Sequence, residues 1–278
     1  GPLWKGKTSF NVGMRRTWTE TLTLPIFAFV NKFNKPDKVG ARYAFTDLNA
    51  KITHKFSETN KLSANFYTGR DVFRFKSDNF MSYNEEDKLV TERDIINIGL
   101  AWGNVLGSLN WDYKIDDRIS MKNIAYYSGS RSNLYFYYKE VDKYSDSITN
   151  GEYNTSNVHN MGLKSDFHHR LNQRHTLRYG ATAQYHIYCP NSTAKADIQK
   201  DGEEYTHTAY ADTLRYGTVE ASVYAEDEMA LTDAFTLNAG LRYSIYPNKG
   251  KVWHSIEPRI AMKYAFNDKV SAKASYTH

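Results

Sequence analysis

The chain has 278 residues, a formal net charge of +5 and a mean hydropathy of -0.66. The charge is modest and no block of Lys and Arg stands out, which argues against a nucleic-acid-binding arm. The single cysteine, Cys189, excludes an internal disulfide framework and a Cys-rich zinc site.

The composition favours β-structure. There are 22 Tyr, 14 Phe and 5 Trp against only 6 Pro, and aromatic residues fit pleated strands and interfaces. The longest apolar run, 24–30, is far shorter than the roughly 20 residues that a membrane-spanning helix needs. A membrane β-barrel shows lipid only alternate residues, so the low mean hydropathy is compatible with a barrel as well as with a soluble protein.

In chain order, alternation of apolar and polar residues predicts eleven strands. One face of the segment 175–188 carries Leu177, Tyr179 and Ala181, whereas the other carries Thr176, Arg178 and Thr182. The predicted strands are 8–18, 43–56, 61–71, 95–115, 118–138, 154–170, 175–188, 214–231, 235–247, 255–266 and 270–278.

The connections between these strands fall into two sets that take turns along the chain. Asn or Asp sits between apolar residues in each short connection, which is typical of tight turns. The short connections are 57–60, 116–118, 171–174, 232–234 and 267–269. The long ones are 19–42, 72–94, 139–153, 189–213 and 248–254. This order predicts an up-and-down antiparallel meander with two different ends, as in outer-membrane barrels.

The apolar face could meet lipid or the core of a soluble sandwich, because both give the same alternation. Two observations favour lipid. Small residues such as Ala181 and Ala183 make this face thin, and bulky Tyr179 and Tyr185 stand at its ends, as in the aromatic girdles of barrels. The regular succession of short and long connections is also unusual for a sandwich.

Several motifs carry a resemblance to a known family. "VYAEDEMALTDAFTLNAGLRYSIYP" (223–247) and "IEPRIAMKYAFNDKVSAKASY" (256–276) resemble the β-barrel domain of TonB-dependent outer-membrane receptors, as do "GPLWKGKTSFNVGMRRTW" (1–18) and "HTLRYGATAQYHIYCP" (175–190). The resemblance implies an all-β, antiparallel up-and-down transmembrane β-barrel, with 1–278 as a partial barrel domain. About half of a 22-stranded barrel is expected, without the plug, the energy-coupling segment and both ends of the domain.

The resemblance also implies a function. Such a receptor lies in the outer membrane, binds a scarce nutrient at the cell surface and imports it with energy from the inner membrane. Its implied partners are outer-membrane lipid, a TonB-like protein reached through a missing N-terminal part and a small-molecule or oligosaccharide ligand, with a surface lipoprotein as a further candidate. No nucleic acid, cofactor, metal or catalytic residue is expected. Two alternatives stay open: a passive porin or structural barrel, and a soluble carbohydrate-binding β-sandwich.

Candidate site residues follow from this interpretation. Residues expected to face the lumen or contact the plug are Arg15, Lys51, Arg178, Gln184, Glu226, Glu228, Asn238 and Arg242. Tyrosines of the long connections that could stack on a ligand are Tyr83, Tyr205 and Tyr210.

Two other kinds of chemistry fit less well. His168, His169 and His175 lie close together, but their spacing is not a recognised zinc pattern, and we expect exposed turn histidines. Glu226, Asp227 and Glu228 could suggest paired catalytic acids. Strand alternation turns Asp227 away from the other two, so we expect hydrogen bonds or ion pairs instead.

Overall fold

A computed structural model describes residues 1–4, 6–85, 88–142, 146–200, 203–210 and 214–278, without the side chains at 85, 88, 89, 209 and 210. It contains thirteen strands and one helix. The elements are β1 (Pro2–Leu3), β2 (Thr8–Arg16), α1 (Thr19–Phe33), β3 (Lys38–Ser57), β4 (Asn60–Glu85), β5 (Lys88–Lys114), β6 (Ile119–Val141), β7 (Ser147–Arg170), β8 (His175–Lys200), β9 (Glu203–Tyr210), β10 (Tyr216–Ala230), β11 (Phe235–Asn248), β12 (Lys251–Asn267) and β13 (Val270–Thr277).

All thirteen strands form one antiparallel sheet. Each strand pairs with the next along the chain, except that β10 pairs with β8 and that β9 pairs with β8 off this path. The eleven predicted strands correspond to β2–β8 and β10–β13, and β1 and β9 are additional. The up-and-down antiparallel fold is therefore confirmed, and the two-sheet sandwich is wrong for the described residues.

The predicted short turns are present, and Asn or Asp stabilises three of them as expected, whereas Thr232 takes this role at 232–234 and Ser57 accepts a backbone hydrogen bond at 57–60. At four of them one side-chain oxygen accepts hydrogen bonds from the backbone N–H groups two and three residues further on, at 2.7 to 3.2 Å. A short polar side chain that bonds the following backbone in this way stabilises a tight turn. The accepting residues are Asp116, Asn172, Thr232 and Asn267.

The long connections differ from the prediction. Most of 72–94 is a continuation of the β4–β5 ladder, and the β6–β7 and β8–β9 ladders extend in the same way. The connection 248–254 is a two-residue turn, because Asn248 pairs with Lys251. Lys249 and Gly250 between them have φ values of 46° and 78°, the left-handed conformation of a type I′ hairpin turn.

Helix α1 occupies a stretch that we expected to be an irregular loop. Its apolar residues Leu22, Ile26, Phe29 and Phe33 recur at helical spacing, and all four are exposed. The Asn31 side chain bonds the backbone of Val39 in β3 at 2.8 and 2.9 Å and so fixes the helix to the sheet. In the described part of the chain no helix is both long and apolar enough to span a membrane.

The sheet has two chemically different faces in the part near the short turns. One face, here called the Leu109 face, carries a row of paired residues: Ala64, Leu109, Ala125, Leu163, Ala183 and Ala221. The opposite face, here called the Ser108 face, carries the adjacent row: Asn65, Ser108, Tyr126, Gly162, Gln184 and Glu220. Successive strand residues point to opposite faces, so the two rows cannot exchange sides.

Burial is the reverse of that in a protein folded in water. Leu163 and Val223 on the Leu109 face are 65% and 55% exposed, whereas Ser63 and Ser222 on the Ser108 face are 6% and 5% exposed. Burying polar groups and exposing large apolar ones is costly in water but favourable when lipid covers the apolar face. The Leu109 face is therefore built for an apolar solvent.

The strands β4–β8 are far longer than a membrane crossing needs. They have 26, 27, 23, 24 and 26 residues, whereas a tilted strand crosses the apolar layer with about 9–11. Counted from the short turns, the crossing segments end near the middle of each strand. The outer halves of β4–β8 project beyond the membrane.

One ion pair stabilises the projecting β4–β5 hairpin. Arg93 donates to the two carboxylate oxygens of Asp78 at 2.7 and 2.8 Å, and Asp78 is buried. These hydrogen bonds from Arg93 hold the pKa of Asp78 below its usual value. A lowered folded-state pKa contributes stability above the unfolded-state pKa, about 3.9, and this contribution is lost as the pH falls through the folded-state pKa.

We therefore expect Asp78→Asn to loosen this hairpin by about 1–3 kcal/mol at pH 7, because it removes one partner of a hydrogen-bonded charge pair. Amide exchange of 78–93 should rise in the variant at pH 7 and approach the wild-type rate below pH about 4 once the intrinsic pH effect is subtracted. Equal protection of both proteins at pH 7 would contradict this assignment.

Candidate functional site

The eight predicted lumen or plug candidates lie on one face of the sheet. Arg178 pairs with Glu226, Glu228 pairs with Asn238, and the other candidates fall in the same alternation. The remaining pairs across the ladders are Arg15 with Asp47, Lys51 with Asn11, Gln184 with Glu220 and Arg242 with Tyr224. All eight are on the Ser108 face.

A charged network occupies this face near the short turns. Arg178 lies 3.1 Å from a carboxylate oxygen of Glu228 and 4.0 Å from one of Glu226. The Tyr224 hydroxyl donates to Asp166 at 2.6 Å, and Lys164 lies 3.0 Å from the same carboxylate. A polar cavity of about 730 Å³ adjoins these groups. The network brings three of the predicted strands, β7, β8 and β10, into one charged surface.

The neighbouring strands β11 and β12 add a second group. Arg242 donates to Ser222 at 2.7 Å, and Glu257 accepts hydrogen bonds from Ser244 at 2.9 Å and from Arg259 at 3.3 Å. Three buried polar atoms here have no partner among the described residues: Asn238 Oδ1, Arg242 Nε and Arg259 Nε. A buried polar atom without a partner costs about 1–3 kcal/mol. This surface is therefore incomplete by itself.

Arg15 in β2 and Asp47 in β3 form a separate ion pair on the Ser108 face. Arg15 donates to both carboxylate oxygens of the buried Asp47, with a closest contact of 2.6 Å, and lies 5.8 Å from the centre of the Phe45 ring. A bidentate pair of this kind fixes both side chains in direction. Lys51 and Gln184 form no side-chain hydrogen bond or ion pair with another described residue and add polarity to the face.

Asp227 lies on the opposite face, as predicted from strand alternation. Its carboxylate accepts a hydrogen bond from His175 Nδ1 at 2.6 Å, on the Leu109 face. His168 lies on the Ser108 face and His169 on the Leu109 face, so the three histidines do not converge. His175 begins β8 beside the predicted turn, its side chain is partly exposed, and it contacts the Asp227 carboxylate. No metal-ligand group of three His, Cys, Asp or Glu occurs among the described residues.

The predicted ligand tyrosines lie in the projecting parts of the strands. Tyr83 donates its hydroxyl to Glu92 at 2.7 Å, and Tyr205 donates to Glu203. Both tyrosines are on the Ser108 face. The side chain of Tyr210 lies outside the described part of the structure.

Two similar contacts were missed from the sequence. Tyr43 donates to Asp71 at 2.7 Å, and Tyr138 donates to Glu140 at 3.0 Å and to Asp94 at 3.2 Å. Burial, and next the hydrogen bond to Glu140, raise the pKa of Tyr138 to about 12, so its hydroxyl keeps its proton. Asp71 and Asp94 come from neighbouring strands, and only the ladder register reveals them, whereas Glu140 lies two residues from Tyr138 in the same strand.

Solved structures that are similar to this chain include a receptor and a transporter. The siderophore receptor PiuA from Acinetobacter baumannii is 9% identical over 87% of this chain and 46% of its own, with a TM-score of 0.48. The ferric citrate transporter FecA in the unliganded form is 13% identical over 85% of this chain and 42% of its own, with a TM-score of 0.49. This chain thus spans less than half the length of either protein.

No curated protein sequence matches the chain. A family model described as TonB dependent receptor-like, beta-barrel, matches residues 8–278, which is nearly the whole chain. The chain therefore belongs to the β-barrel family of TonB-dependent receptors of the outer membrane.

Proposed function

We propose that this chain forms part of the wall of an outer-membrane receptor that binds a nutrient at the cell surface and imports it with energy from the inner membrane. The observation that carries the proposal is the Ser108 face. It collects the charged and polar candidates, and its buried Asn238, Arg242 and Arg259 atoms lack partners. Such a surface suits a polar segment packed inside the barrel.

In this proposal the Ser108 face lines the lumen and contacts the plug. Arg178 orients the Glu226 and Glu228 carboxylates, and each carboxylate keeps lone pairs for donors of the plug. The unpartnered atoms of Arg242 and Arg259 would donate to plug oxygens, and Asn238 Oδ1 would accept. The contacts are hydrogen bonds and ion pairs, which can be broken and re-formed when the plug moves.

Transport then proceeds by binding and gating, without covalent chemistry. The projecting strands contact the ligand, and a TonB-like protein pulls on a part of the receptor outside this chain. Ligand binding and plug movement are separate steps, so they respond differently to loss of energy. A surface lipoprotein at the projecting end, where α1 exposes its apolar residues, is a further proposed partner.

The test uses cells that carry the full-length receptor gene, with and without the gene for the TonB-like protein. The cells are grown with a ferric siderophore, cobalamin, an oligosaccharide or an oligopeptide as the limiting nutrient. We expect growth on one of them to require both genes. Growth that requires the receptor but not the TonB-like protein would instead support a passive porin.

Planar-bilayer conductance of the purified full-length receptor separates the same alternatives. A plugged receptor should be nearly closed, and Arg178→Glu should increase its leak because it places three carboxylates together. Steady open conductance of the unchanged receptor would contradict the proposal.

A further inference from the structure

The apolar residues of β4–β7 change faces along the strands. Near the short turns they lie on the Leu109 face, which carries Leu109 and Leu163. In the projecting halves they lie on the Ser108 face, where Phe73, Leu100 and Leu134 pair in one row and Phe75, Ile98 and Phe136 pair in another. Leu109 and Leu100 are an odd number of residues apart in β5, so their side chains point to opposite faces of the sheet. No register shift interrupts these ladders, so the change of face does not result from a β-bulge.

The Leu109 face becomes charged where the reversal occurs. Its basic residues in the projecting halves of β4–β6 are Arg70, Arg74, Lys76, Arg93, Arg131 and Lys139. A lipid-facing surface would not carry them, since charge is costly in the apolar layer. The Leu109 face therefore meets water beyond about Thr68 in β4. The apolar surface on the other side, formed by Phe73, Phe75, Ile98, Leu100, Leu134 and Phe136, is here called the vestibule wall.

The charges around the vestibule wall are of one sign. Beyond Tyr67 the Ser108 face of β4–β7 carries acidic residues and, where the side chains of these strands are described, neither Lys nor Arg. Lys88, whose side chain is not described, has its backbone at a position of this face at the tip of the β4–β5 hairpin. The acidic residues are Asp71, Glu92, Asp94, Glu140 and Glu152. The other basic residues of the same halves of β4–β7 lie on the Leu109 face, where Asp78 is the one acidic residue with a described side chain and pairs with Arg93. The acidic residues thus predominate on one side of the sheet and the basic residues on the other.

These carboxylates contact tyrosine hydroxyls instead of cations. Asp71 accepts from Tyr43, Glu92 accepts from Tyr83, and Asp94 and Glu140 share the hydroxyl of Tyr138. Among the described residues, no Lys, Arg or His forms an ion pair with the carboxylate of Asp71, Asp94 or Glu140. A tyrosine supplies one proton and no positive charge, so the negative charge of this face is not neutralised.

We propose that the vestibule wall binds an extended cationic ligand, and that this ligand is a basic oligopeptide. The proposal rests on the proposed receptor function and deepens it by naming the substrate class. Carboxylates attract ammonium and guanidinium groups, and aromatic faces bind the same cations and pack on apolar side chains. An anionic metal chelate would be repelled by this surface.

The spacing of the carboxylates determines the length of the ligand. Asp71 pairs with Trp102, and Asp94 pairs with Asn79, eight residues further along β4. At about 3.4 Å per residue in an antiparallel ladder the two rows are roughly 27 Å apart along the strand. A single small cation cannot reach both, whereas an extended peptide of about eight or nine residues can.

The test measures binding of a fluorescent nonapeptide that alternates lysine and leucine to the full-length receptor in lipid nanodiscs. Its counterpart replaces every lysine by glutamate. We expect saturable binding of the lysine peptide that weakens with added salt, and at least about tenfold weaker binding of the glutamate peptide. Equal binding of the two peptides would overturn the proposal.

Variants locate the site. The double change Asp94→Asn with Glu140→Gln should weaken lysine-peptide binding about tenfold or more, since it removes both charges beside Tyr138. Asp197→Asn, a similar change on the Leu109 face of β8, is the matched control and should leave binding unchanged. Unchanged binding by the double variant, with the wild-type unfolding midpoint, would overturn the proposal.

Failure of this inference is distinguishable from failure of the receptor function. TonB-dependent growth on an anionic chelate, with no binding of the lysine peptide, would overturn the substrate class and leave the receptor function standing. Specific peptide binding without any nutrient uptake that requires the TonB-like protein would support the substrate class and contradict energised import.

Discussion

Ala183→Lys should destabilise the full-length receptor in a lipid bilayer by about 2–4 kcal/mol, whereas Gln184→Lys, one residue further on, should have little effect. Ala183 is in the middle of the Leu109 face, between Tyr179 and Tyr185, and Gln184 is on the Ser108 face at the same depth. A lysine among lipid chains near the middle of the bilayer costs this much, and a lysine toward a polar lumen does not.

Urea unfolding of the receptor in vesicles measures both changes. The two variants carry the same new side chain at the same depth, so the difference between their unfolding free energies reports only which face meets lipid. Equal effects, or a larger effect at Gln184, would show that the two faces have been assigned the wrong way round.

Much of the fold could be predicted from the sequence because the sheet is regular. Alternation with a period of two residues predicts which side chains share a face of each strand. An Asn between apolar residues, such as Asn172 or Asn267, predicts a tight turn. These signals are local, and each needs only a few neighbouring residues. The same alternation placed Arg178 and Glu226 on one face and Asp227 on the other.

The rest depends on what lies across the ladder or on a weaker local signal. Helix α1 was missed because Pro25 lies inside it and because Thr and Phe, which have low helix propensity, are frequent in its sequence. The sequence predicts loops for the outer strand halves because these segments carry many polar residues on the side that meets water. The pairing of Tyr138 with Asp94, which lie 44 residues apart, needed the register of β5 and β6.

Gly180→Ala should have the other large effect on stability, about 1–3 kcal/mol of destabilisation. A Cβ at Gly180 would lie 2.3 Å from the Ser165 carbonyl oxygen, 2.9 Å from the Tyr224 ring and 3.2 Å from Asp166. The backbone contact leaves no free space, so the ladder between β7 and β8 must shift. The shift would also disturb the 2.6 Å hydrogen bond from Tyr224 to Asp166.

Gly107→Ala is the matched control, because a Cβ there has no atom within 4 Å. A strand glycine that can accept a Cβ is stabilised by about 0.5–1 kcal/mol on this change, chiefly through the lower entropy of the unfolded chain. We therefore expect the two Gly→Ala variants to move the urea midpoint of the full-length receptor in opposite directions. Stabilisation by Gly180→Ala would mean that β7 and β8 are further apart at this point, and that the Tyr224 ring does not cover Gly180.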